Sequence, residues 1–431
     1  MADFDVIVVG AGPGGSAAAA HMARGGLRVA LVEKAGFPRD KICGDALTPR
    51  AVRELGYLGF ENPGWHENRG LRLFGGGHRV ELEWPRVSGM PNYGLTAPRV
   101  VLDEALARHA QASGAHLFEN TQVTEAFFED GWVAGVHAEV TDGRGRRTGE
   151  RVTFRAPLVI AADGVSSRTA VKMGIRKRDD RPMGVAVRTY FESPRHDDDF
   201  IESWLELRAD AGSGGSGEPL PGYGWLFPLG DGTINVGLGM LNTSPDFRNV
   251  DYKKTLYQWV GSVGPRWGID PDAALTDAKS AALPMAFNRT PHFKDGVMLV
   301  GDAAGMVNTF NGEGIDYAME SARLAADIVV TYHGYPTEAW KSMMRTYPSI
   351  VRDAYGSYVT MGRVFANLIG HPQVMKLGLK YGMSSSTLMK FVVKLFANVY
   401  EERSGKDILD YVIAGLERVV PATSNETGMG K

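Results

Sequence analysis

The stretch from Asp5 to Glu33, DVIVVGAGPGGSAAAAHMARGGLRVALVE, constrains the chain more than any other. Asp5–Val9 reads as a buried parallel strand, since four apolar β-formers follow Asp5 without a charge among them. Gly10, Gly12 and Gly15 then stand at GxGxxG spacing, with Pro13 and Gly14 between them. Glycines at those places serve a tight turn, a close backbone approach to a pyrophosphate, and close helix–strand packing. Ser16–Arg24 is an Ala-rich helix whose N-terminus would aim free N–H groups at phosphates. Arg28–Val32 is the second strand, and Glu33 ends it where a carboxylate can accept both ribose hydroxyls. The bland alternative is a glycine-rich turn that only packs helix on strand. The strand–turn–helix context and the acid at Glu33 favour an adenine dinucleotide instead.

A chain of 431 residues is long enough for two or three domains with ample core. A formal net charge of −3 gives no reason to expect nucleic-acid binding. Cys43 is the single cysteine, so no intramolecular disulfide forms, as suits a reducing cytoplasm. No signal peptide is expected ahead of the first strand, and no apolar run approaches eighteen residues. The expected location is cytoplasmic, with peripheral contact on the inner face of the cell membrane left open. Oligomeric state is not readable.

After Glu33 the irregular segment from Lys34 to Asp45 leads to a helix at Pro49–Leu55, with Thr48 a good N-cap. Residues 56–96 hold strand-like pieces, LRLF and RVELEW, broken by glycines 75–77. Pro98-Arg99 opens a helix, 100–112, with Val101, Leu102, Ala105, Leu106 and His109 near helical spacing. From Ala115 to Ala161 a strand precedes a β-meander, and LVIAADG repeats the logic of the first strand, ending at Asp163-Gly164. Residues 183–241 are β-rich, with a mobile Gly/Ser/Pro loop expected at Asp210–Pro221. Val297–Val300 is another buried strand, running into GDAAGMVNTFNGEGID and a long helix, Tyr317–Tyr332. Residues 335–420 read helical and 421–431 disordered.

The expected fold is therefore α/β. A discontinuous Rossmann-like domain with a parallel sheet and β-meander occupies 1–55, 97–170 and 285–332. A mostly antiparallel β substrate domain is inserted as 56–96 and 171–284, and a helical region covers 333–420.

Three strand-ended motifs now stand together: GAGPGG with Glu33, AADG at 161–164, and GDAAG at 301–305 followed by NGEGID at 311–316. With Arg99 between the first two, they resemble the FAD-binding domain of the p-hydroxybenzoate-hydroxylase-like flavoproteins. The resemblance implies that Asp302 bonds the ribityl chain, that Gly312, Gly314 and Ile315 lie against the flavin pyrimidine, and that Arg99 reaches the phosphate side. It further implies cofactor contacts at Gly10, Gly12, Pro13, Gly14, Gly15, Glu33, Lys34, Cys43, Gly44, Val123, Asp163 and Gly164. A helix starting near Ile315 would aim its positive end at the N1–C2=O edge, which turns negative on two-electron reduction.

Within this superfamily the chain resembles the geranylgeranyl reductase family. KICGD at 41–45 and YGWLFP at 223–228 carry that likeness, although Leu220 stands where the family has a proline. RDKICGDALTPRAV, PGYGWLFPLG and NGEGIDY are similar to actinobacterial menaquinone reductases, which saturate double bonds of an isoprenoid tail. Period two puts Tyr223, Trp225 and Phe227 on one strand face, either an aromatic wall for a polyprenyl or quinone substrate or ordinary sheet packing. Cys43 is either a small buried side chain or, with Tyr223, a catalytic acid. No metal site is expected. Reduced FAD would give hydride and a site acid the proton; NAD(P)H or another donor would serve as transient reductant, since no second GxGxxG exists. The rival reading is a flavin monooxygenase or halogenase of a natural-product pathway, but the halogenase signature WxWxIP is absent. Finally, Arg363, Lys376, Lys380, Lys390 and Lys394 punctuate an acid-free amphipathic stretch, 361–394. It suits either an anionic lipid surface or a solvated basic face.

Overall fold

A computed structural model describes residues 2–143, 145–208, 219–244, 247–401 and 405–426. Its centre is a six-stranded sheet in the order Phe293–Lys294, Val297–Leu299, Val159–Ala161, Val6–Val9, Val29–Val32, His116–Phe118. All neighbours are parallel except the first pair. The four inner strands are VML, VIA, VIVV and VALV, buried at every position. Such near-continuous apolar runs are what a sheet covered on both faces requires. Register aligns Val9 with Val32 and with Ala161, and Ala161 with Leu299. The residues just beyond these strand ends, Gly10, Glu33, Asp163 and Asp302, therefore share the carboxyl edge, where open α/β sheets bind ligands.

Helices Pro13–Arg24, Arg99–Ala112 and Ile315–Thr331 pack with this sheet. The first starts three residues earlier than its Ala-rich pattern indicates, because Pro13 suits a first turn and Gly14 lies against the Ala318 carbonyl. Gly15 meets the first strand's end so closely that a Cβ there would lie 1.7 Å from the Gly10 oxygen. In Arg99–Ala112 the expected apolar face is rotated. Val101 is 46% exposed, while Asp103 is fully buried in ion pairs with Arg39 and Arg99. Satisfying that carboxylate outweighs burying one valine.

A three-stranded antiparallel meander, Thr121–Glu129, Trp132–Thr141 and Arg147–Arg155, follows the sheet's edge strand. The second large sheet has seven strands: Lys279–Pro284, Met183–Glu192, Thr233–Leu241, Gly222–Pro228, Phe200–Trp204, Gly70–Gly75 and His78–Glu83. It is antiparallel except where Phe200–Trp204 meets Gly70–Gly75. One face buries Leu226, Val236 and Leu238 against Leu256, Trp259 and Val260 of helix Tyr252–Val263. Gly224 permits this approach, since a Cβ would lie 2.5 Å from the Trp259 ring. The opposite face carries Tyr223, Trp225 and Phe227. Three short strands missed in the sequence, Ala46–Leu47, Gly94–Thr96 and His66–Asn68, form a small sheet.

The C-terminal helices are Thr337–Met344, Tyr347–Ile369, Pro372–Leu377, Ser386–Phe396 and Ile408–Val419, with a π-helical turn at Gly378–Gly382. Residues 421–426 differ from the disorder expected of them: Asn425 is fully buried and donates to the Pro348 carbonyl at 2.7 Å. Residues 427–431 lie outside the described residues. So do residues 210–218 of the loop expected to be mobile; nearby, Leu220 is buried and donates to the Leu207 carbonyl.

The Gly15 contact has a direct check. Gly15→Ala is expected to cost roughly 3 kcal/mol or more, because backbone atoms must move to admit the methyl. Gly261→Ala, in a helix with open space around it, is expected to be neutral or slightly stabilising. Equal thermal midpoints for the two variants would refute the packing argument.

Candidate active site

A cavity of about 830 Å³ runs from the carboxyl edge of the parallel sheet to the C-terminal helices. Every site residue expected from the sequence lines it except Gly15, whose role is helix–strand packing.

At one end lie Gly10, Gly12, Pro13, Gly14, Glu33, Lys34, Arg99 and Val123. Gly12 caps helix Pro13–Arg24 with no side chain bonded to its first turn, so the helix presents bare N–H groups. Arg39 and Arg99 each bring Nη2 to 3.9 Å from where a Gly12 Cβ would sit. Both guanidiniums pair with Asp103, at 2.8 Å from Arg39 and 2.6 Å from Arg99. The Glu33 carboxylate accepts from the Ala11 and Ala35 N–H groups and from Arg39. A bare helix N-terminus flanked by two guanidiniums, with a buried carboxylate at the next strand's end, fits the pyrophosphate and ribose of FAD. Arg39 and Asp103 were not singled out in the sequence; the Arg99/Asp103 spacing of four on one helix was the available signal.

Further along are Asp163, Gly164, Asp302, Gly312, Gly314 and Ile315. Helix Ile315–Thr331 begins where the sequence argument needed it, and Gly314 offers no side-chain cap. Asp302 Oδ1 lies 3.3 Å from a Cβ built on Gly314, so the two motifs meet. Asp163 uses its carboxylate locally, accepting from the Ser167 hydroxyl and the Thr169 N–H at the start of helix Arg168–Lys172.

The segment from Lys41 to Asp45 crosses between the two sheets. Asp45 is fully buried with φ 66°. Its Oδ2 accepts from the Tyr190 hydroxyl and from Asn235 Nδ2, each at 2.7 Å. Its Oδ1 accepts from the Arg99 N–H at 3.2 Å. Burial pushes the Asp45 carboxyl up to about 6, with the Tyr190 and Asn235 bonds opposing. Asn235 Nδ2 also donates to the Cys43 carbonyl at 2.9 Å, and its Oδ1 accepts from Trp225 Nε1. Gly44 sits on the aromatic face, where a Cβ would be 3.2 Å from the Phe227 ring.

Tyr223, Trp225 and Phe227 form a ladder with ring centroids 6.0 Å apart at each step. Cys43 lines the same cavity as this ladder and Arg99; burial pushes its thiol up, and Arg99 opposes that. Burial also raises the Tyr223 phenol, with negative charge at Glu313 and then Cys43 adding to the effect. Both groups therefore hold their protons at neutral pH. The Tyr223 hydroxyl donates to the Asn311 carbonyl.

Beyond the ladder the lining is apolar: Phe365, Leu379, Met383, Met389 and Val393. Leu368, Val374 and Leu388 line the cavity and are also exposed, so it opens among the helices that carry them. Lys394 departs from the expected basic face. It is buried and pairs with Asp407 and Asp410 at 2.6 and 2.7 Å. Thr48 departs too: its hydroxyl donates to Glu313 rather than capping helix Pro49–Tyr57. Among the described residues no His, Cys, Asp and Glu group could hold a metal ion, and no helix is long and apolar enough to cross a membrane.

Residues 3–355 match the family profile of the FAD binding domain. The chain is 37% identical over 399 residues to menaquinone reductase of Mycobacterium tuberculosis (strain ATCC 25618 / H37Rv), covering 92% of this chain and 91% of that one. It is 31% identical to digeranylgeranylglycerophospholipid reductase of Methanocella arvoryzae, covering 82% and 84%. Among solved structures, the geranylgeranyl bacteriochlorophyll reductase-like protein of Thermoplasma acidophilum superposes with a TM-score of 0.74 at 21% identity, covering 96% and 99%. A myxobacterial chondrochloren halogenase shares the fold with a TM-score of 0.68 at 22% identity, covering 92% and 90%. With the nucleotide cradle, the interleaved second sheet and these relatives in agreement, the chain belongs to the geranylgeranyl reductase family of FAD-dependent oxidoreductases.

Proposed function

We propose that this oxidoreductase saturates isolated C=C bonds of a polyprenyl chain, with the isoprenoid tail of menaquinone as first substrate and geranylgeranyl groups as a second. The observation that carries this reading is a single cavity joining the nucleotide cradle to an apolar passage that opens among the C-terminal helices. A prenyl chain is flexible and wholly apolar, and that lining excludes water along its length. FAD, when bound and reduced, supplies hydride.

The protein's own part is to orient and to protonate. An isolated trisubstituted alkene has no electron-withdrawing group, so a proton must reach one carbon as hydride reaches the other. Tyr223, Trp225 and Phe227 would hold the chain flat against the cofactor. Cys43, protonated and fixed through its carbonyl by Asn235, is our candidate for the acid that touches the alkene. Tyr223, whose hydroxyl is engaged by Asn311, positions it. Electrons would come from NAD(P)H bound transiently, or from another donor.

The mouth also supports a peripheral membrane site. Leu377 and Tyr381 are 59% and 62% exposed, and Lys376, Lys380 and Lys390 are exposed around the opening. Anionic lipid would meet the lysines while apolar side chains enter the interface, so a tail could pass directly into the cavity.

Three outcomes are expected. Anaerobically reduced protein mixed with menaquinone yields a tail heavier by about two mass units per bond saturated, since each addition delivers one hydride and one proton; no gain with any polyprenyl substrate refutes the reading. Cys43→Ala keeps FAD and loses roughly 100-fold in single-turnover rate; a full rate removes the thiol from the chemistry. Lys376→Glu with Lys380→Glu weakens co-sedimentation with phosphatidylglycerol vesicles by about tenfold or more and leaves phosphatidylcholine binding unchanged; equal loss on both lipids argues against electrostatic docking.

A further inference from the structure

Glu313 belongs to the NGEGID turn and lines the cavity just ahead of helix Ile315–Thr331. Its Oε1 accepts from the Thr48 hydroxyl and its Oε2 from Asn311 Nδ2 at 3.4 Å. The same Asn311 accepts the Tyr223 hydroxyl through its carbonyl. Asn311 thus joins Tyr223 to Glu313, and both line the cavity together with Cys43.

Behind Glu313 is a second carboxyl with unusual surroundings. Asp316 is fully buried, and neither of its oxygens has a hydrogen-bond partner. The cation facing it is Arg50, whose Nε is 3.6 Å away and whose Nη2 binds Glu320. Glu320 is also approached by Arg53 and Arg323, and its side chain is 12% exposed. A row of carboxyls thus leads from a partly solvated edge, past a single buried guanidinium, to the aromatic wall.

We propose that Glu313 stores the proton that the reduction consumes and refills Cys43 through Tyr223. The proposal rests on the prenyl-reductase reading above. In the step, the alkene takes hydride from the reduced flavin on one carbon and the Cys43 proton on the other. The π bond and the S–H bond break, two C–H bonds form, and the flavin gives up the hydride with its electron pair. The thiolate then takes the Tyr223 proton, and the phenolate takes the proton of the Glu313 carboxyl. Glu313 is left as a carboxylate, which Arg50, Thr48 and Asn311 stabilise until a proton arrives by way of Asp316 and Glu320.

The electrostatics suit the role. Burial pushes the Glu313 carboxyl up to about 7, opposed by the Thr48 and Asn311 bonds and by Arg50. By area the residue is half-buried, because it borders the cavity. Asp316 is also raised well above the usual carboxylate range, by burial first and by Glu313 second. The groups acting on Glu313 are Thr48, Asn311 and Arg50, and Glu313 in turn acts on Asp316 and on Tyr223. A carboxyl that titrates near neutrality can both give and recover a proton at working pH. Because its folded value is raised, this group favours the fold at low pH, and that contribution is lost as pH rises through about 7.

Glu313→Gln keeps the shape and removes the stored proton. Two readouts are expected. Infrared titration of the resting protein shows a protonated-carboxyl C=O band that disappears near pH 7 and is missing from Glu313→Gln. Multiple-turnover rates with excess menaquinone and dithionite as electron donor fall above about pH 7 in the unaltered protein, whereas Glu313→Gln is slower by at least tenfold and flat across that range. An unchanged rate and profile in Glu313→Gln, or the absence of the titrating band, overturns the proposal. If Glu313→Gln does not retain FAD, Thr48→Val serves. It removes a bond that favours the carboxylate, so band and profile move to higher pH; an unmoved profile counts against storage at Glu313. Lack of any mass gain in the unaltered protein would sink the reductase reading, while the infrared arm would still report whether Glu313 holds the proton.

Discussion

The carboxylate of Asp45 binds Tyr190 and Asn235 of the seven-stranded sheet and the Arg99 N–H at the start of a nucleotide-domain helix. These bonds close sequence separations of 145, 190 and 54 residues. A buried carboxylate without partners is costly by several kcal/mol, so the two sheets are held wherever these donors converge. The positive φ of Asp45 turns the chain sharply there. That turn delivers the Cys43 carbonyl to Asn235 and lays Gly44 on the Phe227 ring. The geometry of the cavity follows from one residue's need for hydrogen bonds.

Charge is managed differently at the two ends of the cavity. At the nucleotide end, Arg39 and Arg99 share Asp103 and Arg39 also meets Glu33, so both guanidiniums are fixed beside the glycine turn. Where Glu313 lies, one buried guanidinium, Arg50, faces two carboxyls, Asp316 and Glu320, with Glu313 close by. The consequence is a raised affinity for protons at Glu313 and Asp316. Guanidiniums flank the glycine turn, and carboxyls with raised proton affinity stand in the NGEGID turn and the helix after it. Burial makes both arrangements strong, since neither is screened by salt as surface pairs are.

Much of the nucleotide site was legible in the sequence because its signals are local. Glycine spacing, strand ends such as Asp163 and Asp302, and a helix starting at Ile315 depend on a few neighbouring residues. Period two also put Tyr223, Trp225 and Phe227 on one face. What the pattern could not say was which face looks into the cavity. That was decided by Trp259, which packs against Gly224 on the other side. The basic tail misled at Lys394, because Asp407 and Asp410 lie beyond the acid-free window and return to it only through the fold.

By itself the sequence determined a dinucleotide cradle, an interleaved β domain and an irregular loop leaving the first βαβ unit. These follow from hydrophobic period and backbone conformation, which act over a few residues. Only the tertiary structure decided that Asp45 is the anchor, that Arg39 joins Arg99 beside the glycine turn, and that Glu313 faces the aromatic wall. Those outcomes depend on desolvation and on partners far away in the chain. A polar residue's role is set by what surrounds it once water is gone, and no local pattern carries that information.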